Sequence, residues 1–69
     1  MIEIEITTDF IKLDQFLKFA GIVQTGGQAS IIIDDSLVKV NGEISNERGR
    51  KLVKGDKVEI QDNNEYIVI

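Results

Sequence analysis

The chain contains no cysteine and no histidine. At 69 residues it is a small scaffold. Yet it has neither of the staples such scaffolds commonly use, a disulfide or a zinc site. The same two absences remove the Ser-His-Asp and Cys-His units of nucleophilic catalysis, and they leave the redox compartment unreadable. Proline is absent as well, and no linker, internal repeat or low-complexity tract breaks the chain. The longest aliphatic run, Ile31-Ile32-Ile33, is far short of the roughly 20 residues of a membrane span. The N-terminal Met-Ile-Glu-Ile-Glu is acidic and alternating, unlike a secretory signal. The expectation is a single soluble, cytoplasmic domain over residues 1–69, with no membrane partner, metal, cofactor or small-molecule substrate. A chain this short buries only about 60% of the surface its unfolded form exposes. Its stability must come from the 42% of residues that are hydrophobic.

Positive charge is scarce, with eight Lys and Arg against twelve Asp and Glu. Taken alone, a net charge of −4 argues against a nucleic-acid partner. The distribution argues otherwise. Residues 1–11 and 58–69 carry six acids and no base, while residues 12–57 carry all eight bases and a net charge of +2. Within residues 48–57 five bases face one acid. Salt screens exposed charges beyond roughly 8 Å at physiological ionic strength. A local basic face can therefore act in spite of an acidic far side.

Periodicity then orders the chain. Ile2, Ile4 and Ile6 alternate with Glu3 and Glu5, the pattern of a half-buried strand. Phe10 and Ile11 return to apolar character and are expected in the core. Leu13, Phe16, Leu17 and Ala20 follow the i, i+3, i+4, i+7 rule of one helical face. Gly21 suits the left-handed residue that ends such a helix. Thr25 stands where a second helix wants a capping hydroxyl, and Ala29, Ile32 and Ile33 give that helix its own stripe. Both helices are shorter than the ~12–15 residues an isolated helix needs, so they must pack on each other and on strands. Leu37 to Val40 reads as a strand, and Asn41-Gly42 is a hairpin signal, because both residues tolerate positive φ. Glu43-Ile44 begins the return strand, residues 45–50 read as a loop, and Leu52 and Val53 are further apolar anchors. Lys54-Gly55-Asp56 is a turn, Lys57 to Ile60 a strand, Asp62 to Glu65 a turn. Tyr66 to Ile69 is a closing strand that can pair with residues 2–6. The order strand, helix, helix and several short strands is an α+β arrangement.

Chemistry is thinly represented. Asp62-Asn63-Asn64-Glu65 lacks the glycine and terminal glutamate spacing of a calcium loop. Asp34 and Asp35 are neighbours that diverge by about 100° on a helix and read as a solvated helix end. Enzymatic activity is not expected. Lys12 is unusual at a helix start, where it caps poorly and opposes the helix dipole. Thr25-Gly26-Gly27 exposes backbone amides, either for a phosphate or for a tight corner between helices. Arg48, Arg50, Lys51, Lys54 and Lys57 form the densest basic run, and planar arginines suit phosphate forks.

The spacing of Lys12-Leu13-Asp14, Leu17, Gly21, Thr25, Ala29, Ile32-Ile33, Val38, Val40-Asn41-Gly42 and Gly55-Asp56 resembles the alpha-L RNA-binding motif, first described in ribosomal protein S-four of the small subunit. The resemblance covers residues 11–60. The Thr-Gly-Gly before the second helix and the added terminal strands, 2–6 and 66–69, are similar to the stand-alone, YaaA-type bacterial form. The resemblance implies two packed helices against a small, mostly antiparallel sheet. It further implies a non-catalytic module that binds structured RNA, ribosomal RNA or a ribosome-assembly particle, through backbone phosphates. Thr25 and Gly26 stand where a Ser-Arg pair is common, and Ser36 stands where glycine is frequent. Lys39, Arg48 and Lys51 match basic positions of the hairpin and the following loop. The residues expected to contact RNA are Lys12, Thr25, Gly26, Gly27, Gln28, Lys39, Asn41, Arg48, Arg50 and Lys51. The alternative is a protein adaptor or β-grasp-like carrier. Against a carrier, the chain ends Tyr-Ile-Val-Ile and has no Gly-Gly tail to modify.

Overall fold

The computed structural model describes residues 1–61 and 64–69. Among the described residues, seven strands and two helices follow one another as β1 (Ile2–Ile4), β2 (Ile11–Lys12), α1 (Leu13–Phe19), α2 (Gly26–Asp34), β3 (Val38–Val40), β4 (Glu43–Ile44), β5 (Lys51–Leu52), β6 (Lys57–Ile60) and β7 (Glu65–Val68). Five strands form one sheet in the order β1-β7-β6-β3-β4, and β2 pairs with β5 in a separate two-stranded ladder. The β1–β7 pair is parallel and every other pair is antiparallel. Both ends of the chain are thereby tied into one sheet. Ile6 N–H donates to the Ile69 carbonyl at 2.9 Å, and Ile69 N–H donates to the Ile4 carbonyl at 2.9 Å. Of the Asp62-to-Glu65 turn expected from sequence, Asp62 and Asn63 lie outside the described residues, and Glu65 already belongs to β7.

The sheet has one apolar face because its strands alternate in step. Val38 and Val40, Val58 and Ile60, Tyr66 and Val68 are all buried, and register aligns them, Val38 with Ile60 and Val58 with both Val40 and Tyr66. Leu13, Phe16 and Leu17 from α1 and Ala29 and Ile33 from α2 join them in a single core with Leu52. Phe16 meets Tyr66 edge to face, with ring centroids 6.4 Å apart. The helices therefore lie on this face. The other face carries Glu3, Lys39, Lys57, Glu59, Glu65 and Ile67, by the two-residue alternation of a strand. No helix among the described residues is long and apolar enough to cross a membrane.

The expected punctuation is visible in the backbone. Gly21 has φ +76°, and Asn41 and Gly42 have φ 52° and 87°. The two left-handed residues of the type I′ hairpin are those the sequence placed there. Asn41 also links two turns that sequence spacing shows only as separate motifs. Its Nδ2 donates to Asp56 Oδ1 at 3.1 Å, and its Oδ1 accepts from the Lys57 N–H at 2.9 Å. Asp56 Oδ2 in turn accepts from the Val53 N–H at 2.9 Å. The Val-Asn-Gly and Gly-Asp motifs are therefore one hydrogen-bonded corner.

Helix α2 ends differently. Ser36 holds φ 61°, in the region that favours glycine. The strain is offset by Asn46, whose Nδ2 donates to the Ile33 carbonyl at 2.8 Å and to Ser36 Oγ at 2.9 Å. An asparagine ten residues away in sequence supplies the cap that glycine usually makes unnecessary. Asn46→Ala is expected to cost about 1–2 kcal/mol, the value of hydrogen bonds to a partly buried acceptor. At this chain length that lowers the melting temperature by roughly 5–15 °C. Thermal unfolding followed by circular dichroism reads it directly, and an unchanged midpoint would show that this cap contributes nothing.

Two apolar expectations are corrected. Phe10 and Val53 are exposed rather than in the core. Both flank the β2–β5 ladder, where Ile11 pairs with Leu52 on the buried side. Alternation then turns their neighbours outward. Ile2 is likewise exposed, because β1 is an edge strand whose burial grows only toward Ile6.

Candidate functional site

Lys12 at the start of α1 makes no side-chain cap. The structure shows what replaces it. The Leu13 N–H donates to the Arg50 carbonyl at 2.8 Å, and the Asp14 N–H donates to the Arg48 carbonyl at 3.1 Å. Free helix amides need acceptors, and a folded-back loop provides them. The consequence is positional. Arg48 and Arg50 are held at the first turn of α1 by their own backbones, so their side chains are not needed for the cap.

The adjoining ladder brings in two more cations. Lys12 pairs directly with Lys51. Residues directly opposite in an antiparallel pair share a face, with Cβ atoms about 4.5–5.5 Å apart. Among the described residues the ladder has two strands, and no third strand there offers a carboxylate. The main sheet also sets like charges opposite one another, but there an opposite charge lies beside them. On the outer face of the main sheet Glu59 faces Glu65 on one side but Lys39 on the other.

The loop also reaches α2. Arg48 Nη1 donates to Ser30 Oγ at 3.2 Å, and Ser30 Oγ donates to the Gly26 carbonyl at 3.0 Å. The start of α2 is thus joined to the cationic loop through one serine. Side chains cap only part of it. Thr25 Oγ1 accepts from the Gln28 N–H at 3.1 Å, and Gln28 Oε1 accepts from the Gln24 N–H at 2.7 Å. Thr25 and Gln28 are therefore structural in what they bond, while no hydrogen bond among the described residues takes up the Gly26 and Gly27 amides. A side chain at Gly26 would meet nothing within 4 Å. Close packing of the two helices does not explain that glycine, which leaves the backbone open to a ligand.

Of the ten residues expected at the site, the geometry gathers Lys12, Arg48, Arg50 and Lys51 at the start of α1, and links Thr25, Gly26, Gly27 and Gln28 to them through Ser30. The two segments that carry these cations, residues 12–14 and 47–51, also hold Asp14 and Glu47, so together they have a net charge of +2. Lys39 stands apart. It lies between buried Val38 and Val40, so it points to the sheet face away from the helices. There it borders a cleft of about 410 Å³ with Glu59 and Ile44. Lys57 shares that outer face. Asn41 is engaged at both ends of its amide by the Asp56 corner. Ser30 and Phe10 were not expected here. Ser30 has no local signal, because its partner Arg48 is 18 residues away. Phe10 reads as core by composition alone. Among the described residues no three carboxylates gather where they could hold a metal ion.

Comparison with known proteins gives the following. A family model described as S4 domain matches residues 4–69. The chain is 46% identical over 66 residues to the probable ribosome maturation protein RlbA of Bacillus subtilis, an alignment covering 96% of this chain and 93% of that one. Among solved structures, a pseudouridylate synthase superposes with a TM-score of 0.68 at 31% identity, covering 75% of this chain and 22% of the synthase. The 30S ribosomal protein S4e from Thermoplasma acidophilum superposes with a TM-score of 0.68 at 22% identity, covering 91% of this chain and 33% of S4e. At that identity the likeness to S4e is one of fold.

Proposed function

The chain belongs to the S4-domain family, and from that premise we propose that it is a non-catalytic, cytoplasmic RNA-binding module. It acts as one unit over residues 1–69, on structured RNA of the ribosome or of a particle on the way to it. The maturation role named for the Bacillus subtilis relative supports the ribosomal setting. The likeness to the synthase spans too little of that enzyme to carry its chemistry here, and this chain has neither histidine nor cysteine to supply a nucleophile–base pair.

One observation carries the reading, namely Lys12 set directly opposite Lys51 beside Arg48 and Arg50. Like charges directly opposite destabilise a ladder by up to about 1 kcal/mol. Lys12 also opposes the dipole of α1, at about 0.3–1 kcal/mol. An anion lying across the pair would relieve both costs. A phosphate backbone is an extended anion of the right form, and the open amides of Gly26 and Gly27 offer a further phosphate contact one helix away. Phosphate contacts position the domain without reading bases, so recognition depends mainly on RNA shape.

Binding to a structured RNA, measured by anisotropy across a salt series, tests this. Three to five neutralised phosphates predict a slope of log affinity on log salt of about −2 to −4. A flat response would sink the proposal. Lys12→Gln sharpens the test, because its two effects have opposite sign. It should make the slope shallower by about 0.7–0.9 while raising stability by about 0.5–1 kcal/mol.

A further inference from the structure

Phe10 is 39% exposed at the rim of the cationic ladder. Burying a phenylalanine side chain stabilises a fold, and a small domain forgoes part of that here. The backbone that carries the ring is nonetheless held on both sides. Thr8 Oγ1 donates to the Phe10 carbonyl at 2.7 Å, which closes a turn on one side. On the other side Ile11 is locked in register with Leu52. Lys51 Nζ lies 4.7 Å from the ring centroid. Strand alternation sets Phe10 on the same side of the ladder as Lys12. An aromatic ring on a fixed stretch of backbone and two ammonium groups thus share one outward face.

That combination matches a nucleotide. A base offers a flat face to stack on the ring, and its flanking phosphates offer charge to the lysines. The flexible four-carbon stem of Lys51 lets its ammonium move from the ring to a phosphate as a base arrives. In an A-form helix the bases are stacked on one another, and only unpaired nucleotides can be splayed onto aromatic side chains. We propose that Phe10 is a stacking platform for one unpaired base, with Lys12 and Lys51 on the adjacent phosphates. The inference rests on the RNA-binding reading and narrows it to helices interrupted by a bulged or looped-out nucleotide. Stacking tolerates any base, so the preference is for an unpaired position and not for a sequence.

The chain has no tryptophan, so Phe10→Trp installs a single indole reporter at the platform. Two RNA duplexes serve as probes, one blunt and fully paired, the other identical except for a one-nucleotide bulge. The bulged duplex should quench the indole emission and the blunt one should not. Wild type should bind the bulged duplex about 5- to 150-fold more tightly, the range of one base–aromatic stack. Phe10→Leu should lose that preference while keeping its affinity for the blunt duplex and its salt slope. Phe10→Tyr should retain the preference. Circular dichroism confirms that each variant is folded. Equal binding of both duplexes by wild type, with the salt slope intact, would overturn the stacking platform and leave the RNA-binding reading standing. A preference surviving in Phe10→Leu, or an unquenched indole, would do the same. Salt-insensitive or absent binding to both duplexes would overturn both.

Discussion

Phe16→Ala is expected to remove a third or more of the stability of this domain. Phe16 is fully buried and lies edge-on to Tyr66, at an interplanar angle of 85°. Truncating a buried phenylalanine costs about 3–5 kcal/mol, through lost transfer energy and the cavity left behind. At roughly 0.05–0.15 kcal/mol per residue, a chain of this length has only about 3–10 kcal/mol in total. The loss reaches function as well. Helices of seven and nine residues do not persist alone, and Phe16 joins α1 directly to the sheet. Without that anchor the first turn of α1 loosens, and with it the loop whose carbonyls hold Arg48 and Arg50 in place. Urea unfolding followed by circular dichroism measures the effect. A midpoint shift worth less than about 1 kcal/mol, with an unchanged m value, would show that the aromatic contact is not what holds the helices down.

Replacing Arg48, Arg50 and Lys51 together by alanine is expected to weaken RNA binding by two to three orders of magnitude while the domain stays folded. The two halves of that expectation have separate causes. Three solvent-exposed phosphate contacts at about 1–1.5 kcal/mol each, the upper part of the net range for an ordinary hydrogen bond, set the loss of affinity, and the salt slope should become shallower by about 2–3. The fold survives because Arg48 and Arg50 cap α1 through backbone carbonyls, which alanine keeps. What the side chains contribute to stability is small. Among the described residues it comprises the packing of half-buried Arg50, one exposed hydrogen bond from Arg48 to Ser30 and the Lys51–Phe10 contact, the last about 0.5–1 kcal/mol at an exposed site. The control is Lys39→Ala with Lys57→Ala on the outer sheet face, which should change affinity little. If that pair weakens RNA binding as much as the loop triple does, the interface is on the wrong side of the molecule.

Much of this molecule is legible from local pattern. Thr25 caps α2, Asn41 and Gly42 take the left-handed conformations of a hairpin, and Gly21 takes the one that ends α1. Each is a preference of one residue for one backbone geometry, so it needs no knowledge of the rest of the chain. The stripes of α1 and α2 point inward for a similar reason, since helical period is read from spacing alone. The resemblance to the alpha-L motif draws on the same local punctuation, and the fold agrees with it.

The misreadings have a common origin. A two-residue strand has no period to detect, so the β2–β5 ladder passes unseen, and Phe10 and Val53 are assigned to a core they only border. Lys39 looks like one more cation of the basic segment until strand alternation turns it to the opposite face. The poor cap at Lys12 is a local fault with a tertiary remedy, and nothing within a few residues of it announces that the carbonyls of Arg48 and Arg50 will arrive.

By itself, then, the amino-acid order determined both helices, the longer strands and the turns between them, and that the bases fall in the middle of the chain and the acids toward its ends. Those properties belong to single residues and their near neighbours. Only the tertiary structure decided which cations share a surface, because that depends on hydrogen bonds and strand pairings between residues as much as 41 positions apart in sequence, such as Ile11 and Leu52.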